Sequence, residues 1–179
     1  KTINLGLFYG MGKNKLQAEL GISKDKANDL FQTYHNRVPF VKELMDAVSR
    51  RAQDSGKIRT LLGRLCRFHL WEPNHFGIHR SLPHEEALRE YGPGIKRAYT
   101  YKALNKLIQG SAADMTKKAM LDLYKENIIP HIQIHDELDI SIEGDQFKKV
   151  IEIMENAVRL ETPNKVDYQF GENWGNIYD

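Results

Sequence analysis

The chain has 179 residues, of which 41% are hydrophobic, so it holds enough apolar material for a globular domain with its own core. No apolar run approaches the ~20 residues of a membrane-spanning helix, and we expect neither a signal peptide nor a membrane partner. A single cysteine, Cys66, excludes an internal disulfide and fits a reducing compartment.

Charge is distributed unevenly along the sequence, although the net charge is only +2. Residues 126–179 carry 12 acidic and 4 basic side chains, whereas residues 1–125 carry 12 acidic and 22 basic ones. A basic region favours a polyanionic partner such as nucleic acid, and an acidic region favours cations, including divalent metals. Charges that only solvate a surface would give the same distribution.

The first third of the sequence predicts helices. Residues 1–11 read as one helix and residues 13–21 as a short amphipathic segment. Ser23 is a typical N-cap for the next helical stretch. We expect Pro39 to bend or split that stretch, and Asp54-Ser55-Gly56 to end it.

The remaining sequence mixes strands and helices, which predicts an α+β fold. Residues 57–70 have strand composition, and residues 71–95 predict a loop with only short structure. Apolar spacing predicts a long helix over about residues 96–126 and an amphipathic helix over residues 146–160. The tail, VDYQFGENWGNIYD, alternates enough for a last strand.

Between these helices, residues 128–145 read IIPHIQIHDELDISIEGD, with apolar alternation on both sides of His135, Asp136 and Glu137. A hairpin that carries the acids at or near its tip explains both flanks. A rigid tip can hold a carboxylate for Mg²⁺, which prefers oxygen ligands, and Asp136 is the candidate. A polar turn without chemistry is the alternative.

The same stretch also permits a zinc interpretation through His131 and His135. Their spacing would place both side chains on one face of a helix. The flanks predict strands, however, in which residues four apart are separated by roughly 13 Å. That distance is too large for one metal ion, and the sequence contains no HExxH pattern.

Lys1, Leu5 and Tyr9 recur every four residues along the first predicted helix and therefore share a face. Lysine can contact a phosphate, and tyrosine can stack on a base or sugar. Gly6 and Gly10 leave room for close approach of the backbone. A core helix with an exposed lysine would show the same spacing.

Tyr101, Asn105 and Gln109 form a similar row along the long predicted helix. Amide side chains can hydrogen-bond to sugars and base edges, and the small residues 110–113 can pack tightly against a neighbour. Nearby cations can contact a phosphate backbone: Lys96, Arg97, Lys102, Lys106, Lys117 and Lys118. A solvated polar face is the alternative.

Together these segments resemble the C-terminal part of a family A DNA polymerase, the class of bacterial polymerase I and many phage replicative enzymes. KTINLGLFYGMG is similar to motif B, LNKLIQGSAADMTKKAM to the long palm helix, QIHDEL to motif C, and GENW to a C-terminal signature. The resemblance implies helical fingers in residues 1–56 and part of an antiparallel-sheet palm in residues 57–179. The palm would carry an inserted loop at about 71–95 and a catalytic hairpin with motif C at 133–138.

The resemblance implies transfer of nucleotides from dNTP to the 3′-hydroxyl of a primer on primer-template DNA, with two Mg²⁺ ions. Asp136 would ligate the metals, and Glu137 would be an accessory acid. The implied catalytic residues are Lys1, His135, Asp136 and Glu137. The implied nucleotide-binding residues are Lys1, Leu5 and Tyr9, with Lys1 on the triphosphate. The implied DNA-binding residues are Tyr9, Gly10, Asn105, Gln109, Gln133 and His135.

Several features depart from the family pattern. Leu5 stands where many members have Phe or Tyr, and a leucine at this position resembles the pattern of some phage polymerases. Tyr101 stands where bacterial members have Arg. Motif A, which supplies a second metal-binding Asp, is absent, as are thumb segments. We therefore expect a fragment that needs an upstream segment carrying motif A and the thumb, in the cytoplasm of a bacterium or a phage-infected host. The alternatives are a non-catalytic nucleic-acid-binding module and one half of a split polymerase.

Overall fold

A computed structural model describes residues 2–75, 77–173 and 175–178. The chain divides into two compact units, Lys1–Gly110 and Ser111–Asp179. Both contain helices and small antiparallel sheets, which confirms the predicted α+β class. The expected boundary between residues 56 and 57 falls inside the first unit and stays a prediction. Within the described ranges, no helix combines the length and the apolar composition required to cross a membrane.

Four helices open the first unit: α1 (Thr2–Phe8), α2 (Lys13–Leu20), α3 (Lys24–Arg37) and α4 (Pro39–Ser55). The Ser23 hydroxyl accepts a hydrogen bond from the Lys26 backbone N–H, which confirms the predicted N-cap. Pro39 begins α4, where a missing N–H costs nothing, so the predicted split occurs there. Gly56 ends α4 in the left-handed conformation, with φ of 68°.

The predicted strand region forms a hairpin of β1 (Lys57–Arg59) and β2 (Leu65–Arg67). Ile58 pairs with Cys66. Ile58 belongs to the buried core that the end of α4 and the start of the long helix share: Val48, Ala52, Ile58, Phe68 and Ala103. Gly63 occupies the turn with φ of 88°, a conformation that favours glycine.

The region at 71–95, predicted as a loop with short structure, contains more regular structure than expected. It contains β3 (Leu70–Pro73), β4 (Leu82–Pro83) and α5 (His84–Tyr91), and it runs into β5 (Ile95–Arg97). The strands form an antiparallel sheet in the order β4-β3-β5. Strands of two to four residues bounded by proline leave too little alternation to recognise. Arg97 stabilises this sheet. Its guanidinium lies 4.5 Å from the Trp71 ring centroid and donates a hydrogen bond to the Phe68 carbonyl at 3.0 Å.

The long helix, α6 (Ala103–Lys125), begins later than predicted because residues 95–97 pair with β3 and residues 100–102 form a 3₁₀ turn. Gly110 of α6 lies against the β1–β2 hairpin. The Arg64 guanidinium donates to the Gly110 carbonyl at 2.7 Å, and a Cβ at position 110 would lie only 2.8 Å from Cγ2 of Thr60. The prediction that small residues allow close packing is confirmed at this glycine.

The second unit contains the C-terminal part of α6, the hairpin β6 (Ile132–Ile134) and β7 (Glu137–Asp139), α7 (Gln146–Asn156), and the short strands β8 (Phe170–Gly171) and β9 (Ile177–Tyr178). Its buried core is small: Leu123, Ile128 and Val150, with Leu138, Ile140, Ile153 and Met154 packed against it. Helix α7 ends four residues earlier than predicted, and the tail forms two short strands rather than one.

Glu155 holds the segment that follows α7. Its carboxylate accepts hydrogen bonds from Lys165 Nζ at 3.1 Å and from the Val166 backbone N–H at 3.2 Å. These two donors lower the pKa of the Glu155 carboxyl group. The extended tail is thereby anchored to a helix of the same unit.

Replacing Gly110 with alanine should destabilise the first unit. Alanine normally favours a helix over glycine by about 1 kcal/mol, but Thr60 is buried and its hydroxyl accepts from the Arg64 N–H, so it cannot move aside cheaply. We expect Gly110→Ala to lower the free energy of unfolding by about 1–2 kcal/mol in urea denaturation. Gly94→Ala is the control, because nothing lies within 4 Å of its added Cβ. Equal stability of the two variants would contradict the close packing.

Candidate active site

The hairpin β6–β7 turns through only two residues. Ile134 pairs with Glu137, so His135 and Asp136 form the whole turn. His135 has a left-handed backbone with φ of 53°, which is uncommon for a residue other than glycine. The Gln133 side chain donates to the His135 carbonyl, and the His131 N–H donates to the Asp139 carbonyl at 2.8 Å. The predicted hairpin with an acid at its tip is confirmed.

Asp136 is exposed at this tip, and within the described part of the chain no hydrogen bond or ion pair engages its carboxylate. Glu137 follows it, also exposed. Such oxygens suit Mg²⁺, which takes one or two protein carboxylates and completes its shell with water and substrate phosphate. No group of three or more His, Cys, Asp or Glu side chains that could hold a metal occurs among the residues described.

The zinc interpretation finds no support in this geometry. His131 precedes β6 and His135 follows it, so the two residues flank an extended strand rather than share a helix turn. Residues four apart in a strand are separated by roughly 13 Å.

The first strand of the hairpin exposes apolar side chains. Cross-strand partners share a face, so Ile132 and Ile134 lie on the face of their partners Asp139 and Glu137. Ile132 and Ile134 are 38% and 39% exposed. On the other face, Leu138 packs against the core. The apolar set changes face at the turn, because a two-residue turn shifts the phase of the alternation.

In the first unit, the residues that resemble motif B lie on and just after α1. Leu7 is buried and anchors the helix, while Leu5 on another side is 48% exposed. Gly10 has φ of 84°, and a Cβ there would lie 3.2 Å from Sδ of Met45 on α4, so both conformation and space favour glycine. Lys1, the predicted triphosphate contact, lies outside the described residues.

Tyr9 and Gln109 meet, although 100 positions separate them in sequence. The Gln109 side-chain amide donates to the Tyr9 hydroxyl oxygen at 3.0 Å. Asn105, one helical turn earlier on α6, is exposed. The structure therefore brings two predicted DNA-binding residues into direct contact and places a third on the same helix.

Tyr101 is also exposed, but it belongs to the 3₁₀ turn rather than to α6. Lys102 lies over the rings of Tyr99 and Tyr101, at 5.1 and 5.6 Å from their centroids. Lys106 lies 4.9 Å from the Phe68 ring centroid. Together with Arg97, which stacks on Trp71, three of the predicted phosphate-contacting cations thus lie against aromatic rings.

Sequence reasoning missed the structural role of Gln133. Gln133 was predicted only to bind DNA, whereas its side chain also donates a hydrogen bond to the His135 carbonyl at the tip.

A comparison with protein families matches residues 1–176 to the family described as DNA polymerase family A. The chain belongs to this family. Over 97% of its length it is 33% identical to DNA polymerase I of Bacillus caldotenax, and over 98% it is 30% identical to a DNA-directed DNA polymerase of Pseudomonas phage M6.

This family A chain spans 19% of the length of the Bacillus caldotenax protein and 28% of the phage protein. It is also similar to a solved structure, the POL domain of Pol1 from M. smegmatis in complex with DNA primer-template and dNTP. The TM-score is 0.69 at 28% identity, and the match covers 90% of this chain and 27% of that one.

The Tyr9–Gln109 bond should appear as an energetic coupling. In a double-mutant cycle of Tyr9→Phe and Gln109→Ala, measured by urea denaturation, we expect a coupling of about 0.5–1.5 kcal/mol. Tyr9→Phe with Asn105→Ala is the control cycle and should be additive, because no hydrogen bond joins Tyr9 and Asn105 in the described residues. Equal coupling in both cycles would contradict the assigned bond.

Proposed function

We propose that this chain is the fingers and the C-terminal palm portion of a DNA-directed DNA polymerase, which transfers nucleotides from dNTP to the 3′-hydroxyl of a primer. The proposal depends above all on Asp136. In a chain of family A, this residue lies exposed in a two-residue turn within the sequence QIHDEL. The proposed fingers are residues 1–56, and the proposed palm portion is residues 57–179.

In the proposed mechanism, Asp136 holds Mg²⁺, with Glu137 as an accessory acid beside it. Bound Mg²⁺ would activate the primer hydroxyl and stabilise the pyrophosphate leaving group. The bond from Gln133 to the His135 carbonyl braces the backbone of the turn that carries Asp136. His135 and Gln133 would lie near the primer terminus.

Nucleic acid and nucleotide contacts are proposed for the first unit. Tyr9 would lie beside the nascent base pair and the template, with Gly10 allowing the backbone to approach. Asn105 and Gln109 would donate to the primer-template minor groove. Leu5 would face the incoming nucleotide, and Lys1 would contact its triphosphate. The solved relative is in complex with DNA primer-template and dNTP, which supports these ligand classes.

A second metal-binding aspartate is proposed to come from an upstream segment that carries motif A, with a thumb to grip the DNA. One exposed carboxylate and its neighbour are too few to keep two Mg²⁺ ions in register, and the described residues contain no group of three or more His, Cys, Asp or Glu side chains that could hold a metal. The short share of its relatives that this chain spans is consistent with such a segment. It could belong to the same polypeptide or to the other half of a split polymerase.

A non-catalytic nucleic-acid-binding module is the second candidate. The excess of basic residues in positions 1–125 favours it. One outcome distinguishes this candidate from the polymerase proposal: for a binding module, no upstream polypeptide should restore catalysis.

We expect the purified 179-residue chain to extend no primer, because it lacks the second metal-binding carboxylate. Mixed with, or joined to, an upstream family A segment carrying motif A and the thumb, it should extend a labelled primer in the presence of Mg²⁺ and dNTP. Denaturing gel electrophoresis of the products measures both reactions, with the upstream segment alone as the control. Template-directed extension by the chain alone would contradict the need for motif A. DNA binding without any restored extension would favour the binding module.

A further inference from the structure

The β1–β2 hairpin has one buried face and one basic face. Ile58 pairs with Cys66 on the face that packs into the core of the first unit. Side chains alternate between faces along a strand, and cross-strand partners share a face. The other face therefore carries Lys57 opposite Arg67, and Arg59 opposite Leu65. We call Lys57, Arg59 and Arg67 the basic triad.

Repulsion within the basic triad lowers the stability of the folded hairpin. Like charges directly opposite each other in an antiparallel pair are destabilising, and Lys57 and Arg67 occupy such a position. All three side chains are exposed. In the ranges that the structure describes, no ion pair joins any of them to a carboxylate. The hairpin thus keeps a concentrated positive charge that folding alone does not require.

Hydrogen bonds and close packing fix the hairpin that carries the basic triad. The Arg59 guanidinium donates to the Gly63 carbonyl across the turn at 2.7 Å, which uses one of its five N–H donors. The hairpin is fixed to α6 by the bond from Arg64 to Gly110 and by the close approach of Thr60. The surface is therefore attached to the same helix that carries Asn105 and Gln109.

We propose that the basic triad binds the sugar-phosphate backbone of DNA, as a contact additional to those of Tyr9, Asn105 and Gln109. This inference rests on the proposed function in so far as DNA is the substrate. Residues two apart in a strand lie about 7 Å from each other, and paired residues about 5 Å. A DNA strand carries one charge per ~3.4 Å of helix axis, so the triad spans enough length to face two or three phosphates.

The chemistry of the triad favours phosphate over other acidic partners. Two of its members are arginines, whose planar guanidinium groups match phosphate oxygens in a bidentate manner. The competing occupants are an acidic polypeptide and the acidic residues 126–179 of a second copy of this chain. Both would use the same charges, so the experiment below includes them as outcomes that overturn the proposal.

The test is the triple variant Lys57→Gln/Arg59→Gln/Arg67→Gln of the 179-residue chain. Its affinity for a fluorescent primer-template duplex is measured by anisotropy over a series of KCl concentrations. We expect the slope of log K against log [KCl] to become shallower by about 2–3, and the affinity at low salt to fall at least about 10-fold. Thermal unfolding should show an equal or higher midpoint, because the variant removes repulsion between Lys57 and Arg67.

The matched control is Lys24→Gln/Lys26→Gln/Arg37→Gln, which removes the same charge from exposed positions of α3 in the same unit. For this control variant, the slope of log K against log [KCl] should differ from that of the unaltered chain by no more than about 1. The proposal is overturned if the unaltered chain does not bind the duplex, if the triad variant keeps its slope and affinity, or if both variants lose them equally.

Binding to polyglutamate and sedimentation of the chain complete the experiment. Loss of polyglutamate binding or of self-association in the triad variant, with DNA binding unchanged, would also overturn the proposal. Failure of the proposed function would give a different result. DNA binding would still depend on the triad, but no upstream segment would restore primer extension.

Discussion

The two-residue turn at His135–Asp136 is the constraint on which the candidate site depends. A turn this short fixes the register of β6 and β7, so Leu138 faces the core formed by Leu123 and Ile128. With Leu138 held, the chain has no freedom to rotate Asp136 inward. The left-handed backbone of His135 costs of the order of 1 kcal/mol, and the Gln133 amide offsets part of that cost at the carbonyl. The result is an exposed carboxylate on a braced hairpin tip, and the metal-binding role proposed for Asp136 depends on this arrangement.

Close approach of backbones plays the corresponding part in the first unit. Gly10 lets the end of α1 approach Met45, and Gly110 lets α6 approach Thr60. These two contacts determine where Tyr9 and Gln109 lie, and the two side chains then reach hydrogen-bonding distance. The same approach at Gly110 holds the β1–β2 hairpin, so the proposed base, minor-groove and backbone contacts are all carried by one packed set of elements. Glycine is used here for space and for positive φ, at a cost in helix propensity.

Much of this arrangement could be predicted from the sequence, because local chemistry determines it. Ser23, Pro39 and Gly56 marked the helix ends, and each does so for the reason expected. The hairpin tip was predicted because three ionisable residues interrupted an alternating pattern. Strands β3 and β4 were missed, because segments of two to four residues with prolines carry no readable period. The start of α6 was placed too early, since residues 95–97 have a strand partner that only the tertiary fold supplies.

Other features depend on pairing and could not be predicted from a single sequence. The contact of Tyr9 with Gln109 joins residues 100 positions apart. The exposure of Ile132 and Ile134, and the shared face of Lys57 and Arg67, follow from registers that alternation alone leaves open. The role of Lys1 stays a prediction, since Lys1 lies outside the described residues. The grouping of the chain into fingers and palm also stays a prediction.

The role of Asp136 is tested most directly by single-turnover nucleotide incorporation in a polymerase that joins this chain to an upstream segment carrying motif A. Asp136→Asn should slow incorporation by at least about 1,000-fold, because loss of metal-ion stabilisation of the transition state is worth several kcal/mol. Asp145→Asn, another exposed aspartate in the same unit, should leave the rate within about twofold, because it lies before α7 and away from the turn residues in sequence. Incorporation by Asp136→Asn at the rate of the unaltered polymerase would contradict the metal-binding role of the hairpin tip.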